Sequence, residues 1–304
     1  MNVLSLFDGI SCGQVALERA GIKVDTYYAS EINKYAIQTT QKNHPNTKQL
    51  GDVNNIDFNE YIDKIDLLIG GSPCQGFSRA GNRLNFDDPR SKLFFKYIEA
   101  LEKIKPKYFL LENVVMKKEW QDIITQHINV EPIKINSALV SAQNRERLYW
   151  TNIPNVIQPV DKHIYLQDIL EYLTYKEPGA IRGRRLNKAT ILGRRLNKEG
   201  KREDYNKKVP ITQCLEVRKT NTDKSNCLTT VDKDNVLTPL PPGRYPDVFK
   251  NNLPFRYYTV IEYCRLQTLK ENYLDGCSSS QSKKLIGQGW TVDVIAHIFK
   301  YILK

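Results

Sequence analysis

Asp66-Leu67-Leu68-Ile69-Gly70-Gly71-Ser72-Pro73-Cys74-Gln75-Gly76-Phe77-Ser78 is the stretch on which the reading of this 304-residue chain turns. Leu67, Leu68 and Ile69 form an apolar run without polar alternation, the pattern of a strand buried on both faces. The run ends in Gly-Gly-Ser-Pro, where glycine and proline fix the backbone, and a cysteine follows at the exit. A structural cysteine normally sits within an apolar run; Cys74 sits past the end of one.

Downstream, apolar residues recur at helical spacing through Leu93, Phe94, Tyr97, Ile98, Leu101 and Ile104, and Tyr108-Phe109-Leu110-Leu111 reads as another buried strand. Upstream, Val3–Phe7 and Val24–Ser30 read as strands. Helical stretches follow them, over about Gly13–Ala20 and Lys34–Asn43. Strands buried on both faces and separated by helices predict an α/β fold: a mostly parallel, Rossmann-like sheet with helices on both faces.

Three polar elements fall at strand ends, where such sheets bind ligands. Phe7-Asp8-Gly9-Ile10-Ser11-Cys12-Gly13 joins the first strand to the first helix, and its glycines allow a tight turn and close approach to a ligand. Glu31 ends the second strand, the usual place for a carboxylate that holds ribose hydroxyls, and Asp52 ends a candidate third strand. These residues fit a nucleotide-like ligand, and they equally fit a tight turn with two surface carboxylates. Nearer the chemistry, Leu111-Glu112-Asn113-Val114 sets a carboxylate at a strand exit. Gln143-Asn144-Arg145-Glu146-Arg147-Leu148-Tyr149 puts two guanidinium groups on one side of an extended segment, suited to a carboxylate, a phosphate or a base edge.

Near residue 157 the texture changes. Apolar periodicity weakens, and residues 157–255 carry 19 Lys/Arg against 12 Asp/Glu, a large share of the chain's net +11. A basic region of this kind suits a polyanion, although charge alone also suits a merely soluble basic protein. Ile181-Arg182-Gly183-Arg184-Arg185-Leu186-Asn187-Lys188 is echoed at Ile191–Lys198, which predicts two Gly-Arg-Arg turns ten residues apart. Thr291–Leu303 is amphipathic and is expected to pack back onto the sheet. The domain expectation is therefore a core of 1–156 plus 256–304, interrupted by a smaller irregular or β-rich unit of 157–255.

No apolar run is long enough to span a bilayer. The first strand lacks the basic leader and cleavage pattern of a signal peptide, which predicts a cytoplasmic protein. The six cysteines, at 12, 74, 214, 227, 264 and 277, form no Cys-x-x-Cys and no cluster with zinc spacing, so no metal is expected.

Phe-x-Gly at 7–9, Ser-Pro-Cys-Gln at 72–75, Glu-Asn-Val at 112–114 and Gln-x-Arg-x-Arg at 143–147, in that order, resemble the DNA cytosine-5 methyltransferases of the bacterial and phage restriction-modification type. The likeness continues in Tyr258–Gln267, similar to the family's late helix motif, and in Gly287-Gln288-Gly289-Trp290-Thr291-Val292-Asp293-Val294, similar to its closing motif. It spans 1–156 and 256–304, and the basic insert falls where the family keeps its target recognition domain. There are departures. Phe7-Asp8-Gly9-Ile10-Ser11-Cys12 stands where the family often has Phe-Ala-Gly-x-Gly-Gly, and Gly-Gln-Gly-Trp stands for the usual Gly-Asn-Ser. Both resemble the animal de novo DNA methyltransferases.

The resemblance implies a sequence-specific enzyme that flips a cytosine out of double-stranded DNA. It implies Cys74 as the nucleophile at C6, Glu112 on the N3/N4 edge, Arg147 on the base and Arg145 orienting the loop or Glu112. S-adenosyl-L-methionine is the implied methyl donor and S-adenosyl-L-homocysteine the product. Phe7, Gly9, Ile10, Glu31, Ile32, Asp52, Val53, Pro73 and Leu93 would form the cofactor pocket, closed by Trp290 and Val292; for Leu93 and Val292, plain core packing is the competing reading. Gln75, Ser78 and Arg79 would meet the DNA from the loop. Arg184, Arg185, Arg194, Arg195, Thr229 and Thr230 would meet it from the insert, with phosphate contact favoured over base reading for the arginines. The implied partners are DNA and, functionally, a cognate restriction endonuclease, with a monomer as the default. A related family methylates tRNA on the same fold and carries Cys-Phe-Thr, where this chain reads Cys227-Leu228-Thr229. Amino-group methyltransferases need Asp/Asn-Pro-Pro-aromatic, which Pro241-Pro242-Gly243 is not. An inactive DNA-binding regulator would not need Cys74, Glu112 and Arg147 together.

Overall fold

The computed structural model describes residues 1–72, 92–171, 186–197, 199, 201–217, 223–229 and 236–304. Its larger sheet has seven strands: β1 (Asn2–Leu6), β2 (Thr26–Ser30), β3 (Lys48–Gln49), β4 (Leu67–Gly70), β5 (Tyr108–Val114), β6 (Ile133–Asn136) and β7 (Glu146–Thr151). They lie in the order β3-β2-β1-β4-β5-β7-β6. The first five run parallel, and β7 is antiparallel to both of its neighbours. Winding reverses between β1 and β4, so the chain leaves those two strands in opposite directions. A crevice opens there, at the strands' carboxyl ends.

The strands are apolar on both faces because both faces are covered. Leu67 and Ile69 point into one core and Leu68 into the other, and Leu110 and Leu111 divide the same way. The first core takes α1 (Cys12–Ala20) and α8 (Val292–Phe299), and the second takes α3 (Lys92–Ile104) and α4 (Lys118–Ile128). The terminal segment returns to the sheet as expected: α8 packs on α1, buries Val292, Val294, Ile295, Ile298 and Phe299, and is tied by Arg19 Nη1 to Asp293 Oδ1 at 2.6 Å. Each of those apolar side chains contributes about 1.5–3 kcal/mol by leaving water.

Among the described residues, the insert and the two residues after it form a five-stranded antiparallel sheet: β8 (Asn187–Arg195), β9 (Ile211–Val217), β10 (Val236–Thr238), β11 (Gly243–Tyr245) and β12 (Arg256–Tyr257), in the order β11-β9-β8-β10-β12. The compositional boundaries shift slightly in three dimensions. Leu166 and Ile169 of the short helix α5 (Leu166–Ile169) join the larger core, whereas Arg256–Tyr257 pairs within the small sheet.

Two local expectations are corrected. Gly193-Arg194-Arg195 is not a turn: it lies within β8, paired with β9 from Ala189↔Val217 to Arg195↔Ile211. A Cβ at Gly193 would come within 2.8 Å of Ile211 Cγ2, so glycine there serves close strand packing. The first copy of the repeat, with Arg184 and Arg185, lies outside the described residues. The third strand stops at Gln49, and Asp52 instead caps a 3₁₀ turn (Val53–Asn55), accepting from Asn54 N at 2.9 Å.

An ion pair ties the small sheet to the helix that follows it. Glu262 of α6 (Val260–Leu266) has 0% side-chain exposure and takes both Arg256 guanidinium nitrogens, at 2.8 and 2.7 Å. It also accepts from Thr259 N and Glu171 N, both at 2.9 Å. Removing one partner leaves the other buried and uncompensated. Glu262→Ala is expected to cost about 3–5 kcal/mol in urea unfolding, with Arg256→Met costing less; equal, sub-kcal losses would show the pair to be incidental.

Candidate active site

A cavity of about 530 Å³ opens at the carboxyl ends of the parallel strands, within the size range of small-molecule sites. Each strand contributes residues at or just past its end: Phe7 and Gly9 after β1, Glu31, Ile32 and Asn33 after β2, Asp52 and Val53 after β3, Gly71 and Ser72 after β4, and Glu112, Asn113 and Val114 at the end of β5. Leu93, Arg145, Arg147, Gly287 and Gln288 complete the wall.

At one end, the turn after β1 is held in an uncommon conformation. Phe7, Gly9 and Ser11 all have positive φ, at 59°, 60° and 56°. For Phe7 and Ser11 this costs of order 1–3 kcal/mol each, which the surroundings must offset. They do so through Glu31, whose Oε2 accepts from Gly9 N at 2.8 Å while Oε1 accepts from Ile32 N and Asn33 N, both at 2.8 Å. Three backbone donors thus fix the Glu31 carboxylate at the end of β2. Asp52 Oδ1 is occupied by Asn54, which leaves Oδ2 as the acceptor for a ligand donor.

Asp8 backs the same turn. Its carboxylate accepts from Tyr27 Oη at 2.7 Å and from Ser11 Oγ. The residue as a whole is half-buried, but the carboxyl itself is enclosed, and burial raises its pKa to about 6 against the hydrogen bonds of Ser11, Ser5 and Tyr27. Burial likewise pushes the neighbouring Cys12 thiol up to about 12, which makes it an inert core cysteine.

At the other end stands a buried carboxylate with its counter-charge. Arg147 Nε lies 2.9 Å from Glu112 Oε1, with side-chain exposures of 12% and 11%. The N–H is not aimed at the oxygen, so the contact is an ion pair without a formed hydrogen bond. Burial alone would lower the Arg147 pKa; Glu112, Cys227 and Tyr149 outweigh it and raise it above the usual arginine value. The register explains the meeting, since Glu112 pairs with Tyr149 and Val114 with Arg147 across β5 and β7. Arg145 does something else. It donates to Leu228 O at 3.3 Å, Cys227 Sγ at 3.5 Å and Gly289 O at 3.0 Å, so its guanidinium holds the closing loop and the 227–228 segment.

The structure brings together Phe7, Gly9, Glu31, Ile32, Asp52, Val53, Leu93, Glu112, Arg145 and Arg147. It takes Ile10 and Val292 out of the cavity wall, since both are core residues at 1% and 0% exposure. Trp290 also falls outside the wall and instead donates its indole N–H to Glu112 Oε2 at 3.1 Å. Arg194 is already committed to Glu216 (2.8 Å) and Asp204 (3.6 Å), and Arg195 N donates to Asp204 Oδ1 at 3.0 Å, so any phosphate must compete with carboxylates for Arg194. Thr229 is half-buried beside the 227–228 contacts. Pro73, Cys74, Gln75, Ser78, Arg79, Arg184, Arg185 and Thr230 lie outside the described residues. Ser30, Asn33, Gly287 and Gln288 also line the cavity; Ser30 and Asn33 lie within two residues of Glu31, and Gly287 and Gln288 open the closing motif, which are the available signals. Cys227 Sγ lies 3.5 and 3.8 Å from the two arginines, and its place beside them has no local signal, because it is 80 or more residues away in sequence.

A family model described as C-5 cytosine-specific DNA methylase matches residues 1–304. The orphan methyltransferase M.SPRI of Bacillus phage SPR is 38% identical over 166 residues, covering 50% of this chain and 38% of that protein. The type II methyltransferase M.NlaX of Neisseria lactamica is 35% identical over 187 residues, 56% of this chain and 59% of that protein. The matched stretch is thus under two thirds of either relative. Among solved structures, a methyltransferase of Entamoeba histolytica superposes with a TM-score of 0.71 at 17% identity, covering 100% of this chain and 98% of that one. A DNMT2 variant of Spodoptera frugiperda gives 0.63 at 19%, covering 100% and 99%. At these identities the likeness is one of fold. Among the described residues no helix is long and apolar enough to cross a membrane.

Proposed function

Because the chain belongs to the C-5 cytosine-specific DNA methylase family, we propose that it methylates C5 of a cytosine flipped out of double-stranded DNA. The observation that carries the proposal is the single cavity that joins the Glu31–Asp52 end to the Glu112–Arg147 end, so that two reactants share one space. The first end fits S-adenosyl-L-methionine: Glu31 for the ribose hydroxyls, Asp52 for the adenine amino group, and Phe7, Ile32, Val53 and Leu93 as apolar walls. Bound there, the cofactor supplies an electrophilic methyl group on a sulfonium.

The chain's own residues do the rest. The Cys74 thiolate adds to C6 of the base, and the electron pair of the C5–C6 bond becomes available at C5. Glu112 holds the N3/N4 edge and stabilises the ring while N3 carries a proton taken up from solvent and returned when the thiolate leaves. Arg147, 2.9 Å from Oε1, holds Glu112 in place and offers donors to the base carbonyl. Once C5 carries the methyl group, solvent takes its proton, the electron pair re-forms the C5–C6 double bond, the C6–S bond breaks and the thiolate is regenerated. The basic insert supplies phosphate neutralisation and base reading, and a monomer in the cytoplasm suffices for both. The type II relatives support a role beside a cognate restriction endonuclease, and the orphan phage relatives a solitary one.

Labelled methyl transfer in vitro tests the reading. Purified protein is expected to label duplex DNA at C5 of cytosine and to leave tRNA unlabelled. Label in tRNA alone would contradict it.

A further inference from the structure

Glu112 is gripped from two directions. Arg147 Nε lies 2.9 Å from Oε1, and Trp290 Nε1 donates to Oε2 at 3.1 Å. Indole is a donor only, so a hydrogen bond fixes Oε2 while the guanidinium charge attracts Oε1. The approach depends on glycine: a Cβ at Gly71 would stand 2.9 Å from Trp290 Nε1 and 3.2 Å from Glu112 Oε2. Trp290 is itself clamped on both sides. Gly289 O accepts from Arg145 Nη2 at 3.0 Å and from Gln267 Nε2 at 3.1 Å, while Thr291 Oγ1 donates to Gln267 Oε1 at 2.7 Å. Gln267 has 0% exposure, and its amide is fully used, with Ile286 O at 3.0 Å and Gln143 Nε2 at 3.1 Å as further partners. A buried amide satisfied on every side is a rigid mount.

We propose that Trp290 is a positioning residue for the base-binding carboxylate, mounted by Gln267, and that its indole N–H orients Glu112 toward the cytosine ring. The inference rests on the methyl-transfer reading of this site. Each carboxylate oxygen has two lone pairs, so the indole and the guanidinium stay in place while the remaining pairs meet N3–H and N4–H of the base.

The test separates base activation from cofactor binding. Without cofactor, Cys74 addition lets C5 take up a solvent proton and lose its own, so DNA carrying tritium at cytosine C5 releases label when the thiolate departs. In Trp290→Phe, which keeps an aromatic ring of smaller size and removes the donor, tritium release and the kcat of methyl transfer are expected to fall together by about 10- to 100-fold. Affinity for S-adenosyl-L-homocysteine in calorimetry and the melting temperature stay at wild-type values. Wild-type tritium release in Trp290→Phe overturns the inference, as does faster release, which would make the bond a resting-state latch. A wild-type protein that releases no tritium and transfers no methyl overturns the functional reading on which the inference stands. Independently of turnover, the indole N–H resonance absent from Trp290→Phe spectra is expected to move in Glu112→Gln; if it does not move, the bond is refuted.

Discussion

Cys74→Ser is expected to lower methyl transfer by at least about 10,000-fold, the scale on which loss of an enzyme nucleophile is felt. The hydroxyl has nearly the shape of the thiol but ionises far above neutral pH, so addition to C6 loses its nucleophile. Cofactor and DNA affinities should survive, because the cavity wall and the basic insert are untouched. Single-turnover transfer beside a gel-shift titration reads both quantities. Substantial transfer by the serine variant would mean that the nucleophile lies elsewhere, and Cys12, with its thiol pushed up to about 12 by burial, is a poor substitute.

Glu112→Gln carries the second largest effect. The amide cannot hold a protonated N3 as a carboxylate does, and loss of one preorganised electrostatic contact costs about 100- to 1,000-fold in kcat. Arg147 then loses the counter-charge 2.9 Å away in a setting where it is 12% exposed, so stability should fall as well. The two losses are separable: kcat at saturating cofactor is measured well below the variant's melting temperature, where the folded fraction is near one. A variant that keeps wild-type kcat would remove Glu112 from the chemistry and leave it a structural ion pair.

Much of this architecture is legible from periodicity. The apolar run at 67–69 has no polar alternation because β4 sits between β1 and β5 with a core on each face. Glu31 is legible because strand ends are where these sheets gather polar groups. Features set by long-range geometry do not show in the sequence. The second Gly-Arg-Arg looks like a turn in isolation, yet pairing with β9 makes it strand. Arg145 and Arg147 look equivalent at alternate positions, but Arg147 pairs with Glu112, whereas Arg145 lies before β7 and its guanidinium is drawn to Gly289 and Leu228. Ile10 and Val292 belong to pocket-like motifs but fill the core. Trp290 reads as a pocket wall, and its bond to a carboxylate 178 residues away has no local signature.

The most direct test of the central claim is methylation-sensitive sequencing of DNA from cells that express this chain, beside cells that express Cys74→Ser. Conversion-resistant cytosines confined to one short sequence motif, and absent with the serine variant, are the predicted result. Genomes with no new 5-methylcytosine, or with the same pattern in both strains, would contradict it.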